Sequence, residues 1–183
     1  MGRMSRVKEV SRTTDPRNLQ AFVDAASCHM TGTLTETSGA AGDIGIQITG
    51  AATTHYVVVP IGVGMLVTAD TADTARGEVT RGPRINSLVP VYRLITANET
   101  SITPSLETTT FADGGTLTTT DRPITGTLGN ANHATNFNAD TLTVTTPFVI
   151  TSGMRCTLSI VLVNPGTALF EFHGCYVNYD LLL

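Results

Sequence analysis

The sequence predicts an all-β fold: a two-sheet antiparallel β-sandwich of the jelly-roll type, with an extended N-terminal arm and one short helix. Three observations support this prediction. The 183 residues include 33 threonines, which are β-branched and favour strands. Short apolar segments recur at spacings of about 8–14 residues and are bounded by Gly, Pro, Asn and Asp. Only one segment, near the N-terminus, has the periodicity of a helix.

Charged residues are scarce, at 14% of the chain, and Lys8 is the only lysine. A free monomer usually relies on interspersed surface charge for solubility. A surface of hydroxyl and amide side chains can instead be buried against a neighbour without desolvating charge. The composition therefore favours a protein that packs against other subunits, and a secreted β-sandwich with an uncharged surface is the alternative.

Charge is distributed unevenly along the chain. Residues 1–17 carry five basic and two acidic side chains, a local charge of +3, whereas the rest of the chain carries −7. This asymmetry predicts a basic arm in front of an acidic body. We accordingly divide the chain into an N-terminal arm with a short helix, residues 1–30, and a β-sandwich domain, residues 31–183.

The short helix is predicted to start at Asp15-Pro16, because Asp is a good N-cap and Pro is tolerated at the first helical position. It should end near Ser27 or Cys28. The apolar residues at helical spacing are Leu19, Phe22, Val23 and Ala26.

Strands are predicted along the remaining chain. Their approximate ranges are 43–49, 55–67 with a bend at 60–62, 76–81, 85–96, 116–120, 124–128, 142–150, 154–163 and 168–179. Pro90 lies inside one of these ranges and predicts a sheet edge or a bulge there. Asp121-Arg122-Pro123 is a candidate turn between two neighbouring strands.

The last two strands surround Asn164-Pro165-Gly166, which predicts a β-hairpin. In that register Cys156 lies opposite Cys175, and a disulfide between them is a hypothesis, although free thiols are the simpler interpretation of three cysteines without a CxxC pair. His173 would lie opposite Leu158 as a hydrogen-bonded structural residue.

Catalytic and metal-binding signatures are absent from the sequence, so we predict no enzymatic activity, no catalytic residues, no metal site and no cofactor. Cys28-His29 are sequence neighbours, which point to opposite faces of a strand. The other histidines are His55, His133 and His173, which share no motif. Most acidic residues stand singly on predicted loops, among them Asp70, Asp73, Asp113, Asp121 and Asp140. A calcium site at Asp70 and Asp73, or at Asp113, is left open.

The sequence has no apolar run long enough to span a membrane and no apolar segment after the basic N-terminus. We therefore expect synthesis in a reducing cytoplasm and no membrane partner. The arm contains acidic residues between its basic ones, which favours docking on an acidic protein surface over binding nucleic acid. Arg76, Arg81 and Arg84 are candidates for salt bridges between subunits.

The Thr/Gly/Asn-rich β domain, the basic arm and the terminal Leu181-Leu182-Leu183 together resemble the small jelly-roll decoration (cement) proteins of tailed-phage heads. This resemblance, in composition and layout, implies a non-enzymatic virion structural protein. Such a protein would assemble as a homotrimer on the major capsid protein or other virion subunits and stabilise the assembled shell by mass action. The residues expected to contact these partners are Arg3, Arg6, Lys8, Arg12, Arg17, Leu181, Leu182 and Leu183.

Three alternatives stay open from the sequence. One is another virion component, such as a jelly-roll coat subunit or a head–tail or tail protein. A second is a carbohydrate-binding or adhesin β-sandwich, although the chain has no Trp and only 5% aromatic residues from which to build a sugar-binding platform. The third is a small β-sandwich hydrolase, which would need two carboxylates facing each other across a cleft.

Overall fold

The computed structural model describes residues 19–38, 44–49, 52–62, 83–96, 98–111, 114–130, 137–151 and 153–181, and these ranges contain twelve strands. One 3-10 turn, Ala25–Ser27, is the only helical element within these ranges. The strands are β1 (Leu19–Asp24), β2 (His29–Met30), β3 (Thr33–Ser38), β4 (Ile44–Thr49), β5 (Thr54–Ile61), β6 (Pro83–Leu94), β7 (Ser101–Phe111), β8 (Leu117–Asp121), β9 (Ile124–Thr125), β10 (Leu142–Val149), β11 (Met154–Val163) and β12 (Phe170–Leu181).

The strands form two antiparallel sheets. The seven-stranded sheet has the order β3-β4-β12-β6-β10-β9, with β1 also paired to β12, and the five-stranded sheet has the order β2-β5-β11-β7-β8. Eight strands, β4-β12-β6-β10 in one sheet and β5-β11-β7-β8 in the other, reproduce the jelly-roll arrangement, because every connection among them except β7–β8 crosses between the sheets. The predicted jelly-roll sandwich is confirmed.

The core lies between the inner faces of the two sheets. Strands β6, β11 and β12 supply about half of its buried apolar side chains, since nearly every second residue in them is buried. Tyr92 stacks on Phe170 at a ring separation of 5.2 Å, and Phe170 stacks on Phe172 at 6.4 Å. Burying each such large side chain stabilises the fold by about 1.5–3 kcal/mol.

The predicted helix is wrong for the residues described. Leu19–Asp24 form strand β1, which pairs antiparallel with Gly174–Tyr179 of β12. Val23 is buried while Phe22 is exposed, so the segment follows a period of two. Helical spacing of four apolar residues was outweighed because β12 offers an open edge whose backbone groups need partners. Strands β1 and β2 thus bring residues 19–30 into the two sheets.

The predicted C-terminal hairpin is also wrong. β11 lies at the centre of the five-stranded sheet between β5 and β7, whereas β12 lies at the centre of the other sheet. Residues 164–169 therefore cross between sheets. Cys156 and Cys175 are buried free thiols in different sheets, which rules out the disulfide hypothesis, and Leu158 pairs with Val59 and Leu106 instead of His173. β11 has β5 and β7 as its partners, and β12 has β6 on one edge and β4 and β1 on the other, so neither strand has an edge left for the other.

Two turn predictions need correction in the same way. Pro90 lies inside a central strand, where it faces Cys175 next to a β-bulge in β12, so the bulge prediction is confirmed and the edge alternative is wrong. Asp121-Arg122-Pro123 does not join paired strands, because β8 and β9 belong to different sheets. The predicted strand 76–81 and the distal half of 55–67 lie outside the described residues.

The bulge in β12 depends on Gly174. His173 and Gly174 together oppose the single residue Val91, and Gly174 has φ of +146°. A Cβ at this position would lie 2.4 Å from the Phe22 ring and 2.4 Å from the Val23 carbonyl oxygen. Glycine is therefore required both for the backbone conformation and for the close approach of β1.

We predict that Gly174→Ala lowers the free energy of unfolding by about 3 kcal/mol, because it adds steric overlap with β1 to backbone strain. Urea denaturation followed by circular dichroism measures this. Gly114→Ala is the matched control, since Gly114 has φ of +98° but a Cβ there would meet no atom within 4 Å. We expect the control to lose only about 1 kcal/mol, and equal losses in both variants would contradict the steric argument.

Candidate binding face on the seven-stranded sheet

The outer face of the seven-stranded sheet, called here the binding face, carries polar and aromatic side chains from β1, β4, β6 and β12. Strand pairing sets their positions, because Glu171 lies directly opposite Gln47 on one neighbour and Arg93 on the other. Directly opposed residues in antiparallel strands have Cβ atoms about 5 Å apart, so their side chains meet.

Glu171 is 1% exposed although it belongs to the outer face. Arg93 donates from Nε to Oε1 at 3.0 Å and from Nη2 to Oε2 at 3.1 Å, and Gln47 Nε2 donates to Oε2 at 3.0 Å. His173 Nε2 lies 2.5 Å from Oε1. We call Gln47, Arg93, Glu171 and His173 the carboxylate cluster. A buried carboxylate is tolerated only when its oxygens are paired in this way.

The charge state of Glu171 follows from these contacts. Burial alone would raise the pKa of this carboxyl, but hydrogen bonds from Arg93, Gln47 and His173 and the charge of Arg93 outweigh it and lower the pKa below its usual value. Glu171 is therefore ionised at neutral pH. Its oxygens are occupied by neighbouring donors, so it orients the cluster and leaves ligand contact to the other side chains.

An aromatic ring and a glycine hold His173 in place. The Phe137 ring packs edge-on against His173 at 4.5 Å, and Arg93 lies over the same ring at 5.2 Å. On the other side, a Cβ at Gly45 would lie 2.7 Å from His173 Nε2. Phe137 itself is 46% exposed, so it presents an aromatic surface to solvent on top of the carboxylate cluster.

A second exposed aromatic surface lies further along β12. Phe22 and Tyr176 are directly paired across β1 and β12, and their rings are 4.7 Å apart at an angle of 50°. They are 43% and 37% exposed. Because His173 and Gly174 together oppose Val91 and Tyr176 faces Val89, the distance from His173 to Tyr176 along the strand is about 7 Å. The binding face therefore has two aromatic surfaces in line, with the bulge between them.

Polar side chains continue the binding face beyond Tyr176. Gln20 donates to Asn178 Oδ1 at 2.9 Å, and Asn178 donates to Ser87 Oγ at 2.9 Å. Arg84 pairs with Asp180 at 2.7 Å. These contacts link β1, β12 and β6 across the sheet and hold the side chains in single orientations.

The segment that carries Phe137 is anchored to the end of the sandwich. Asn138 exchanges backbone hydrogen bonds with Tyr92, at 3.1 and 2.7 Å. The buried Tyr92 hydroxyl lies 2.8 Å from the Gly129 carbonyl oxygen and 2.9 Å from Asp140 Oδ2, and Gly129 N donates to the same carboxylate at 2.6 Å. Desolvation, then the hydrogen bond to Asp140, raises the pKa of Tyr92, so its hydroxyl stays protonated.

A second buried carboxyl, Glu99, lies near this end and is 2% exposed. Asn164 Nδ2 lies 3.4 Å from Glu99 Oε1, while Glu99 Oε2 has no hydrogen-bond partner in the structure. Asn130 Nδ2 donates to the main-chain oxygen of Glu99, and the Asn130 Oδ1 is also buried without a partner. Burial raises the pKa of Glu99 to about 7.

Several residues singled out from the sequence have different positions from those expected. Arg84 forms a salt bridge within the chain, to Asp180, while its predicted contact between subunits stays a prediction. Asp140 accepts hydrogen bonds within the fold and is not a freely solvated turn residue. Asp121 is exposed at the end of β8. His173 is hydrogen-bonded, as predicted, but within the binding face.

Burial, and secondarily the charge of Asp24, raises the pKa of Cys28 to about 12, so it is a thiol at neutral pH. Within the described ranges no group of three or more His, Cys, Asp or Glu side chains could hold a metal ion. No helix among the described residues has the length and hydropathy of a membrane span.

The other predicted contact residues lie largely outside the described part of the chain. Leu181 ends β12, but its side chain is not described. The remaining residues outside the described ranges are Arg3, Arg6, Lys8, Arg12, Arg17, Asp70, Asp73, Arg76, Arg81, Asp113, His133, Leu182 and Leu183. Their predicted roles stay predictions.

Sequence reasoning did not select Gln47, Arg93, Glu171 or Phe137. The one local signal was Glu171-Phe172-His173, where two polar residues flank a core position. That alternation places both on the outer face, but it does not reveal the partners on β4 and β6, which are 78 to 124 residues away.

No family model and no curated protein matches the sequence. Solved structures that it resembles include TmCBM61 bound to β-1,4-galactotriose, at 7% identity and TM-score 0.43 over 85% of this chain and 90% of that chain. Another contains the CBM22-1 and GH10 modules of Clostridium thermocellum xylanase 10B with xylohexaose. It matches at 11% identity and TM-score 0.46 over 91% of this chain and 29% of that chain. A third is the insecticidal crystal protein Cry2Aa, at 12% identity and TM-score 0.42 over 87% of this chain and 21% of that chain. The chain thus spans less than a third of the last two proteins.

We predict that Glu171→Gln destabilises the protein by about 3 kcal/mol at pH 7, because Arg93 loses its buried counter-charge. The wild-type contribution is present above the unfolded pKa of about 4.5 and is lost as pH falls through the lowered folded pKa. Urea denaturation at several pH values measures both effects. Glu36→Gln, at an exposed position of β3, is the control, and equal losses in the two variants at pH 7 would contradict the prediction.

We predict that the contribution of Glu99 to stability changes with pH in the opposite direction to that of Glu171. Its folded pKa is raised, so its stabilising contribution is complete below about pH 4.5 and is lost as pH rises to about 7. Glu99→Gln should therefore remove this dependence and raise the free energy of unfolding at pH 8 by on the order of 2 kcal/mol. The same denaturation series measures it, and a variant less stable than wild type at pH 8 would contradict the prediction.

Proposed function

We propose that the protein is a non-catalytic carbohydrate-binding β-sandwich whose binding face holds a neutral glycan chain. The observation that carries this proposal is the combination, on one sheet face, of two exposed aromatic surfaces with polar side chains fixed by hydrogen bonds. A sugar ring has an apolar C–H face and a rim of hydroxyl groups, so a complementary surface needs both components.

The aromatic component consists of Phe137 at one position and the Phe22–Tyr176 pair at the other. Aromatic rings offer a large contact area and lose little conformational entropy on binding, because they rotate about only two side-chain bonds. The two surfaces occupy separate positions along β12, which suits a chain of several sugar units better than a single one.

The polar component is organised before any ligand binds. Arg93, Gln47 and His173 are held by Glu171, and Gln20 and Asn178 are held by each other. Side chains already fixed in one orientation pay less entropy when they bind hydroxyl groups. Such pre-organisation is typical of a recognition surface and is unnecessary for a merely solvated sheet face.

The charges of the binding face support a neutral ligand. Both arginines that the described strands place on this face are paired with carboxylates, Arg93 with Glu171 and Arg84 with Asp180. An acidic glycan would have to compete with these carboxylates for the guanidinium groups, whereas the hydroxyl groups of a neutral glycan can use the remaining hydrogen-bonding positions.

Capsid decoration, the function predicted from the resemblance, stays a prediction. The arm residues expected to contact the shell lie outside the described residues. Contacts within the fold favour the carbohydrate-binding alternative, because they build an organised surface on the described strands.

Glycan-array binding followed by isothermal titration calorimetry tests the proposal. Neutral β-linked oligosaccharides, including β-1,4-galactan and xylan fragments, are the first probes. We expect Tyr176→Ala to weaken binding of the best ligand at least about tenfold, since it removes one of the two rings that form the Phe22–Tyr176 surface. Arg93→Lys should also weaken it, because lysine cannot form the two parallel bonds to Glu171.

Tyr56→Ala is the matched control, because Tyr56 is a similarly exposed tyrosine, 43%, on the outer face of the other sheet. We expect its affinity to stay within about twofold of wild type. Absence of glycan binding, or equal loss in Tyr56→Ala and Tyr176→Ala, would overturn the proposal.

A further inference from the structure

Strand β8 is the outermost strand of the five-stranded sheet, and no described strand pairs with its free edge. All five of its residues are exposed. Its first four, Leu117 to Thr120, include no charge and no proline. Natural proteins usually protect such an edge with lysine, proline, a bulge or a very short strand. β8 has none of these features.

Three other edge strands within the described residues differ from β8. β2 and β9 contain two residues each, and β3 carries Glu36 in its middle. β8 is therefore better suited to further strand pairing than these three edges. Its three consecutive threonines are β-branched, a residue type that favours extended backbone.

Apolar side chains extend this edge onto the outer face of the sheet. Leu117 is 59% exposed and lies directly opposite Phe111, which is 46% exposed. Arg155 lies over the Phe111 ring at 4.9 Å. One end of the β7–β8 pair is thus apolar with a nearby positive charge.

The other end of the same pair is acidic. Glu107 lies directly opposite Asp121, and two like charges in this position repel each other. A second copy related by a two-fold axis through Thr119 would bring the acidic end of one β8 beside the Leu117–Phe111–Arg155 end of the other. This arrangement places each acidic strand end beside an uncharged strand end of the other copy and not beside a second pair of carboxylates.

We propose that two copies of this chain pair through β8 in antiparallel fashion, centred on Thr119. Only this register pairs all five residues of β8, with Leu117 opposite Asp121 and Thr118 opposite Thr120 of the second copy. The two five-stranded sheets then form one continuous sheet of ten strands. A two-fold operator makes the contact self-limiting, so it ends at a dimer.

The contact area is small for a stable interface, since a five-residue edge covers less than the roughly 800 Å² per partner of a standard complex. We therefore expect a weak dimer, with a dissociation constant on the order of 10–100 µM. This state differs from the trimer predicted from the resemblance, and the two are distinguished by solution mass.

The dimer has a consequence that rests on the proposed function. The two-fold axis is perpendicular to the paired sheet, so both binding faces point to the same side of the dimer. A polymeric glycan could then be held at two sites at once, which raises its apparent affinity without a new contact.

Disulfide cross-linking tests the register. Under copper–phenanthroline oxidation, Thr119→Cys should form a covalent dimer, because directly opposed residues lie within disulfide reach. Thr118→Cys should not, because its sulfurs would be diagonal and their Cα atoms about 7–8 Å apart. Thr35→Cys on β3 and the wild-type protein control for other contacts and for the native cysteines.

Sedimentation equilibrium tests the association without cross-linking. The wild-type mass should rise towards that of a dimer with concentration, and Thr119→Lys should stay monomeric, because two lysines would face each other at the axis. A monomeric wild type, a trimer, or equal cross-linking of Thr118→Cys and Thr119→Cys would overturn the proposal.

Glycan binding separates this inference from the proposed function. Thr119→Lys should keep wild-type affinity for a short oligosaccharide but elute earlier from immobilised polysaccharide. If no glycan binds, the proposed function fails while the cross-linking result still decides whether the dimer exists.

Discussion

Strand β12 is hydrogen-bonded along both edges, and the rest of the molecule depends on this pairing. Its inner residues fill the core, and its outer residues align with those of β4, β6 and β1 to form the binding face. The bulge at His173–Gly174 shifts the alternation of faces by one residue. Glu171, His173 and Tyr176 therefore all lie on the outer face, although Tyr176 is an odd number of residues from the other two. Because Gly174 has no side chain, the Phe22 ring can pack against it. β1 therefore pairs with residues 174–179 of β12, beyond the residues 170–172 that pair with β4.

Two buried glutamates show how local contacts decide the behaviour of the same side chain. Glu171 is surrounded by donors and a guanidinium group, so it is ionised and organises three neighbouring side chains. The Glu99 carboxyl has one long contact, from Asn164, and burial favours its neutral form. One carboxylate therefore stabilises a surface suited to ligands, while the other makes the end of the sandwich sensitive to pH.

The two sheets have different outer faces, which suits different roles. The seven-stranded sheet presents aromatic rings and fixed polar groups from β1, β4, β6 and β12. On β7 and β8 the five-stranded sheet presents mostly threonine and serine side chains, with Glu107 and Asp121 at one end, and β8 is its outermost strand. A surface of small uncharged residues loses little solvation when it is covered, so the low charge of the sequence is consistent with association through this sheet.

The sequence by itself determined the class of fold, because threonine-rich alternation and turn residues dictate strands wherever they occur in the chain. It also placed β4, β6, β10, β11 and β12 nearly where they lie. Tertiary structure alone decided that Leu19–Asp24 is a strand, that β11 and β12 belong to different sheets, and that Gln47, Arg93 and Glu171 meet. The physical reason is that these outcomes depend on backbone and charge partners many residues apart. Local periodicity reports which face of an element is apolar, but not which element covers it.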